Sequence, residues 1–158
     1  MPTKAALVAE LVAALTAALE LARSAHAAAV EAATHSESRA ENDKDTRGLE
    51  QSYLARGQAM RVAELETALA RLAVFAPPKL GEGDRIALGA LVTVDDDGTT
   101  KQLFLAPDGG GTLLADGSVQ VVTPQSPLGR ALLGRSVDDE VELRLPGGVR
   151  TLTITALR

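Results

Sequence analysis

Cysteine and tryptophan are absent from this 158-residue chain, and aromatic residues make up only 2% of it. Without cysteine, disulfide bonds, thiol catalysis and thiolate metal sites are excluded. The two histidines, His26 and His35, are too few for a zinc site. Because large aromatic side chains are scarce, the sequence predicts thin helix–helix packing together with one small second core.

Charge of either sign is modest, with 16 basic and 21 acidic side chains and a formal net charge of −5. A non-specific nucleic-acid binder usually presents a strongly basic surface, so this class of function is disfavoured. The N-terminal run has the early lysine and apolar stretch of a signal peptide, but Glu10 and Glu20 interrupt it. Ionised carboxylates are costly in a membrane, so we expect a soluble, cytoplasmic protein.

Residues 4–33 contain no glycine or proline and are rich in alanine, which predicts a long helix. Small and apolar residues recur at alternating steps of four and three, the pattern of a coiled-coil seam. The predicted seam consists of Leu7, Leu11, Ala14, Ala18, Leu21, Ala25, Ala28 and Ala32.

A second helical run follows a polar interruption and ends at Pro77-Pro78. Its apolar residues are expected on one side of the helix, as Leu49, Tyr53 and Met60 and then Val62, Leu65, Leu69 and Leu72. Gly57 marks either a weak point in this helix or a site of close helix contact. Residues 1–76 therefore predict an antiparallel coiled-coil hairpin with residues 34–47 at its tip.

From Gly81 onwards, short strand patterns separated by turns replace the helical periodicity. The run Asp95–Gly98 predicts a hairpin turn. Ser126, Pro127 and Gly134 are spaced as the cap, first turn and end of one short helix. Residues 77–158 thus predict a small antiparallel sheet with one short helix, and the fold class of the whole chain is α+β.

Residues 126–148, SPLGRALLGRSVDDEVELRLPGG, resemble the C-terminal domain of the Gre-type (GreA/GreB-like) bacterial transcription elongation factors. The resemblance is carried by the serine–proline pair before the short helix, by the Pro-Gly-Gly turn, and by the acidic run Asp138–Val141. This run stands where the family has Gly-Asp-x-Val, with aspartate in place of glycine. The resemblance implies a coiled-coil hairpin, a proline linker and an FKBP-like C-terminal domain.

In that family the globular domain binds RNA polymerase at the rim of its secondary channel, and the coiled coil enters the channel. Acidic tip residues help to hold the second Mg²⁺ of the polymerase, which then cleaves the 3′ end of backtracked RNA. The resemblance therefore implies RNA polymerase and the nascent RNA 3′ end as partners, without a membrane or a small-molecule substrate. It implies no active site or cofactor of the factor's own, only Mg²⁺ shared with the polymerase whose intrinsic cleavage it modulates.

The implied tip residues follow from the family motif Asp-x-x-Glu-Asn, which Ser38-Arg39-Ala40-Glu41-Asn42 matches best. Glu41 takes the place of the family glutamate, and Ser38 stands where the family has aspartate. The candidate catalytic residues are therefore Glu41 and Glu37, and the candidate ligands of the shared Mg²⁺ are Glu41, Glu37, Asp43 and Asp45. The implied polymerase-docking residues are Ser126, Pro127, Arg130 and Gly134.

Three alternatives stay open from the sequence. Because serine is a poorer Mg²⁺ ligand than a carboxylate, the factor either supports cleavage or acts as a non-cleaving inhibitor or regulator in the same channel. A coiled-coil interaction protein unrelated to the polymerase is also compatible with the alanine-rich helices. A peptidyl-prolyl isomerase is disfavoured, since such pockets are lined by several aromatics and this domain offers only Phe104, with Phe75 at its border.

Overall fold

The computed structural model describes residues 2–38 and 46–158, with side chains for residues 2–35 and 46–158. Within these residues the chain forms three helices and six strands. The helices are α1 (Lys4–Ser38), α2 (Arg47–Ala73) and α3 (Pro127–Leu132). The strands are β1 (Leu91–Asp96), β2 (Thr99–Leu105), β3 (Leu113–Leu114), β4 (Val119–Val122), β5 (Glu140–Leu145) and β6 (Gly148–Leu157). The predicted α+β fold class is confirmed.

Contacts divide the chain into two compact units. The helical unit is Ala13–Ala70, and the sheet unit combines Met1–Val12 with Arg71–Arg158. The predicted domains, 1–76 and 77–158, stay a prediction, and these units depart from them only at the base of the hairpin, in residues 1–12 and 71–76. The reason is that the first turns of α1 and the last turn of α2 pack and hydrogen-bond within the sheet unit.

In the helical unit, the Nη2 atom of Arg23 on α1 lies 3.3 Å from the Oε1 atom of Glu66 on α2. Glu66 lies 19 residues after Arg47, where α2 begins, and Arg23 lies 19 residues after Lys4, where α1 begins. In a parallel pair with this contact, the start of α2 would therefore lie beside the start of α1, about 50 Å from residue 38. The segment 39–46 spans at most about 33 Å when fully extended. The two helices are therefore antiparallel, and the predicted hairpin direction is confirmed.

The predicted seam of α1 is correct at its start and wrong beyond Leu11. Leu21, a predicted seam residue, is 74% exposed. The buried stripe instead advances in steps of four along the leucines, because leucine buries more apolar area than alanine. The buried residues of α1 are Leu7, Leu11, Leu15, Leu19, Ala22, Ala29 and Ala33.

The predicted face of α2 is correct only in its second half. Leu65 and Leu72 are buried, but Leu49, Tyr53 and Met60 are each more than half exposed. Nearer the start of α2 the buried residues are the small Gly48 and Ala55. A small side chain there permits close packing, and large ones on that face would hold the helices apart. A Cβ atom added at Gly57 would meet no other atom within 4 Å, so this glycine is a weak point of the helix and not a close contact.

The strands of the sheet unit follow the order β3-β4-β2-β1-β6-β5. The hairpin turn between β1 and β2 is confirmed, with positive φ angles of 52° at Asp97 and 85° at Gly98. The sheet is mixed, whereas the sequence predicted an antiparallel one. The exception is the parallel pair β2–β4, in which Phe104 lies opposite Val121. It is parallel because the chain crosses over after β2 and adds β3 on the far side of β4.

One apolar core lies on the face of the sheet that α3 covers. Leu128, Ala131 and Leu133, in and beside α3, pack against it. Branched side chains predominate in this core, as expected where strands stack against a helix. Its buried residues are Ile86, Ala90, Val92, Val94, Leu103, Leu105, Val122, Leu132, Val141, Leu152, Ile154 and Leu157.

Polar contacts fasten the ends of the long helices within the sheet unit. The Nζ atom of Lys4 donates to the carbonyl oxygens of Pro78 at 2.6 Å and Gly89 at 2.9 Å. Arg71 donates from Nε and Nη2 to the two carboxylate oxygens of Asp108 at 2.8 and 2.7 Å. Two parallel N–H···O bonds fix orientation as well as distance. The contact of Arg71 lies just before the linker prolines, Pro77 and Pro78, and the contacts of Lys4 lie at Pro78 and Gly89. These contacts hold the linker in place on both sides.

By length and composition alone, the part of α1 from Lys4 to His35 could cross a membrane. Core helices of soluble proteins and N-terminal signal sequences share this property. Within the sheet unit, Leu7 and Leu11 of this helix are fully buried, and the Glu10 carboxylate accepts a hydrogen bond from the Ala115 N–H at 3.0 Å. The expectation of a cytoplasmic protein stays a prediction.

Candidate partner-binding site

A cleft opens beside α3 because this helix is too short to cover the whole core face of the sheet. Beyond its reach, Leu145 at the end of β5 is 40% exposed. Three adjoining cavities of about 200, 80 and 300 Å³ share lining residues and form one groove, here called the α3 cleft. Its apolar walls are mainly Val94, Val121, Pro127, Leu128, Leu143, Leu145 and Leu152.

The start of α3 forms one rim of the cleft, and its geometry confirms the predicted cap. The Ser126 hydroxyl accepts a hydrogen bond from the Gly129 N–H at 3.0 Å and donates to the Thr123 carbonyl at 2.8 Å. Pro127 occupies the first turn, where no N–H donor is needed. A Cβ on Gly129 would lie 1.9 Å from the Thr123 oxygen, so only glycine allows this close approach.

The four predicted docking residues do not form one group. Ser126 and Pro127 line the cleft. Arg130 is exposed on α3 and donates a hydrogen bond from Nη1 to the carbonyl of Gln125. Gly134 has a φ of 82° and donates its N–H to the Ile86 carbonyl at 2.8 Å, which gives it a structural role in ending the helix. Neither Arg130 nor Gly134 is among the residues that line the α3 cleft.

A charged cluster on the sheet side of the α3 cleft was not predicted from the sequence. Asp96 is 5% exposed, and its Oδ2 atom lies 2.6 Å from Nζ of Lys101 and 3.0 Å from Nη2 of Arg150. The hydrogen bond from Lys101, together with the charges of Lys101 and Arg150, lowers the pKa of the Asp96 carboxyl group against the opposing effect of burial. Asp96 is thus an ionised carboxylate held by two cations.

The signal for this cluster was present in the strand alternation. Asp96 follows Val92 and Val94 at intervals of two, so it shares their core-facing side of β1. The turn signal of Asp95–Gly98 masks this alternation, because Asp96 still belongs to β1. Arg150 comes from β6 and Lys101 from β2, so the cluster joins three strands that the sequence alone does not bring together.

The predicted tip residues fall at or beyond the edge of the described residues. Glu37 lies in the last turn of α1, and its side chain is outside the described residues, as are Glu41, Asp43 and Asp45. In the described parts, 2–38 and 46–158, there is no group of three or more His, Asp or Glu side chains that could hold a metal ion. The shared Mg²⁺ and its ligands therefore stay predictions.

The C-terminal half of the chain, which forms the α3 cleft, matches a known domain. The model of the transcription elongation factor GreA/GreB C-terminal domain matches residues 81–158. Residues 81–158 belong to the GreA/GreB family. The resemblance first carried by the serine–proline pair and the Pro-Gly-Gly turn is therefore confirmed. Ser126 and Pro127 begin α3, and Gly147 and Gly148 of the turn line the α3 cleft.

Curated relatives from this family share between one third and two fifths of the aligned residues. Transcription elongation factor GreA of Sphingopyxis alaskensis is 39% identical over 98 residues, which cover 61% of this chain and 58% of the relative. GreA of Brucella canis is 35% identical over 99 residues, which cover 62% and 60%. The chain thus spans about three fifths of the length of these relatives.

Solved structures of the same kind are more distant. GreA factor homolog 1 of Thermus thermophilus is 23% identical, with coverage of 93% of this chain and 94% of that chain and a TM-score of 0.41. GreA/GreB of Nitrosomonas europaea is 22% identical, with coverage of 59% and 78% and a TM-score of 0.40. At such TM-scores the likeness carries no argument about fold or function.

Proposed function

We propose that this chain is a Gre-type factor that binds RNA polymerase and modulates transcription elongation. The observation that carries the proposal is the match of residues 81–158 to the GreA/GreB C-terminal domain, the part of the chain that forms the α3 cleft. The factor acts in the cytoplasm through the polymerase, with the nascent RNA 3′ end as its second partner. It turns over no small molecule of its own.

The α3 cleft is the surface that we assign to polymerase docking. Its apolar walls offer a place for a side chain of the partner, and burial of such a side chain is worth about 1.5–3 kcal/mol. Ser126 and Pro127 contribute the rim. Arg130 lies outside the cleft lining and adds a contact at its edge, whereas Gly134 acts only by ending α3.

The tip of the hairpin is the part that we assign to the polymerase active centre. Glu41 and Glu37 supply hard oxygen ligands to the second Mg²⁺, with Asp43 and Asp45 as further candidates. In two-metal phosphodiester cleavage, such an ion orients water and stabilises the charge on the attacking and leaving oxygens. The metal and the remaining catalytic groups belong to the polymerase, so the factor itself is not an enzyme.

A second candidate function follows from Ser38, which stands where the family motif has an aspartate. A hydroxyl group carries no negative charge and binds Mg²⁺ more weakly than a carboxylate does. With this tip, the factor would occupy the same channel and inhibit or regulate the polymerase without promoting cleavage. Docking through the α3 cleft is common to both functions.

Binding to cognate core RNA polymerase tests the docking surface. Leu145→Glu places a charge on the apolar wall of the α3 cleft, and we expect it to weaken binding at least about tenfold. Val74→Glu is the control, because Val74 is also an exposed aliphatic residue of the sheet unit but is not among the residues that line the cleft. Absence of binding by the wild-type chain, or equal loss in both variants, would contradict the proposal.

Transcript cleavage in stalled elongation complexes separates the two candidate functions. For a cleaving factor, we expect the wild-type chain to stimulate cleavage and Glu41→Ala to lose most of that effect, with a smaller loss in Glu37→Ala. For a non-cleaving regulator, the wild-type chain gives no stimulation, and Ser38→Asp is expected to introduce it by restoring the missing carboxylate. Equal cleavage with the wild type and both alanine variants would refute a catalytic tip.

A further inference from the structure

The α3 cleft carries a local charge opposite to that of the whole chain. The charged residues among its lining are Asp96, Lys101 and Arg150, which together sum to one positive charge. The chain as a whole has a formal net charge of −5. The side chains of Lys101 and Arg150 are 46% and 54% exposed, whereas that of Asp96 is 5% exposed. The positive charges therefore face the solvent, and the negative charge lies beneath them.

The two cations retain capacity for a further acceptor. An ammonium group has three N–H donors and a guanidinium group five. The single Oδ2 atom of Asp96 receives both contacts, at 2.6 Å from Lys101 and 3.0 Å from Arg150. One oxygen cannot accept from all eight donors, so donors of both side chains are available to a ligand in the cleft. A carboxylate is the group that pairs best with the forked N–H donors of a guanidinium group.

Apolar surface lies directly beside these donors. Leu143 and Leu145 line the same cavity as Lys101 and Arg150, and Leu145 continues into the neighbouring one. A ligand that fills the groove therefore meets leucine walls and two cations together. A nucleic-acid backbone is a poor match, because phosphate binding favours many cations and gains little from leucine walls. A protein segment with neighbouring aliphatic and acidic side chains matches both features.

We propose that the α3 cleft binds a segment of RNA polymerase in which an aliphatic residue is adjacent to an aspartate or glutamate. The aliphatic side chain packs against Leu143 and Leu145, and the carboxylate pairs with Lys101 and Arg150. This inference rests on the proposed docking function and adds the chemistry of the partner. Asp96 holds both cations at the cleft and reduces the net charge that the partner meets.

A series of charge variants tests this pairing by affinity for cognate core RNA polymerase. The wild-type cluster has a net charge of +1, Asp96→Asn raises it to +2, and Arg150→Gln lowers it to zero. The double variant Asp96→Asn/Arg150→Gln returns it to +1. Arg144→Gln is the matched control, since Arg144 alternates with Leu143 and Leu145 and so lies on the opposite face of β5. Circular dichroism checks that each variant is folded.

We expect Arg150→Gln to weaken binding about fivefold, as for the loss of one partly exposed ion pair. Asp96→Asn should strengthen binding, the double variant should lie close to the wild type, and Arg144→Gln should have no effect. The difference between the wild type and Arg150→Gln should shrink at high salt. Lys101→Gln repeats the test if Asp96→Asn does not fold.

The outcomes separate this inference from the proposed function. If the wild type binds polymerase and Arg150→Gln and Lys101→Gln bind equally well, the acidic partner is refuted while docking stands. If the wild type does not bind polymerase, both are refuted. If loss of Arg150 weakens binding to free RNA of the same transcript and leaves polymerase binding unchanged, the cleft contacts RNA and the protein partner is wrong.

Discussion

The sheet unit and the helical unit reach stability in different ways. The sheet unit buries large aliphatic and aromatic side chains completely, among them Val92, Phe104 and Ile154. In the described part of the helical unit, alanines make up most of the buried hydrophobic residues, which are Leu15, Leu19, Ala22, Ala29, Ala33, Ala55, Leu65 and Ala68. Burial of apolar area therefore dominates in the sheet unit, whereas helix propensity contributes more in the helical unit.

This difference suits the separate tasks that we propose for the two units. A binding cleft needs walls held by a packed core, and Leu128 and Leu152 of the α3 cleft belong to or pack against that core. A hairpin that enters a channel must be thin. Small residues at a helix contact allow interaxial distances near the lower end of about 8–10 Å. The small side chains of the alanine-rich seam thus suit the proposed function as well as the fold.

The contrast in cores predicts its largest effect in the sheet unit. Ile154 is fully buried between β1 and β5. We expect Ile154→Ala to lower the free energy of unfolding by about 3 kcal/mol, because the surrounding strands cannot close the cavity. Urea denaturation followed by hydrogen exchange of the strand amides measures this loss. Thr151→Ala, an exposed change on the same strand, should cost less than about 1 kcal/mol; similar losses in both would contradict a rigid core.

The second prediction concerns the seam of the helical unit. Leu65 is buried and Met60 is more than half exposed on the same helix. Leu65→Ala should cost about 2 kcal/mol, less than the change in the sheet core because two helices can move together to fill the space. Met60→Ala should change stability by no more than about 0.5 kcal/mol. Urea denaturation followed by the helical circular dichroism signal distinguishes the two variants. A larger loss of stability in Met60→Ala than in Leu65→Ala would support the helix face that the sequence predicted.

Sequence reasoning recovered the elements of the fold better than their packing. Proline, glycine and capping signals fix local structure, so the hairpin turn at Asp97-Gly98 and the cap at Ser126 were predicted correctly. The phase of the seam was not, because alanine suits both buried and exposed helix positions and leaves the pattern ambiguous. Leu15 and Leu19 were the better guide, since leucine has the stronger preference for the interior.

The candidate site was only partly predictable for a related reason. Ser126 and Pro127 were found through the family resemblance, because they are adjacent in the sequence. The charged cluster comes from three strands, with Asp96 on β1, Lys101 on β2 and Arg150 on β6. Local sequence patterns do not reveal the order of strands in a sheet, so they do not predict that these residues meet. The parallel pairing of β2 with β4 was missed for the same reason.

The third prediction contrasts one glycine from each unit. Gly129 is needed for a close backbone approach, since a Cβ would lie 1.9 Å from the Thr123 carbonyl oxygen, whereas Gly57 has free space around it. We expect Gly129→Ala to destabilise the sheet unit by about 2 kcal/mol through forced movement of α3. Gly57→Ala should stabilise the helical unit by about 0.7 kcal/mol through helix propensity. Thermal unfolding of both variants measures the sign of each change in stability. Shifts of both melting temperatures in the same direction would contradict this contrast.

The smallest effect is expected from acid titration of the charged cluster in the sheet unit. The pKa of Asp96 is lowered from its ordinary value of 3.8 by the hydrogen bond from Lys101 and by the nearby cations. The unfolded chain therefore binds more protons than the folded chain in this range, and stability rises with pH. The contribution is fully present above pH 3.8 and is lost as the pH falls through the lowered value.

Asp96→Asn should therefore flatten the dependence of sheet-unit stability on pH in urea denaturation between about pH 2 and pH 6. The effect is small because Lys101 and Arg150 are half exposed, and solvent and salt screen their charges. Asp95→Asn removes a carboxylate from the opposite face of the same strand and serves as the control. Equal pH dependence in the wild type and Asp96→Asn would show that the cluster orders the cleft without stabilising the unit.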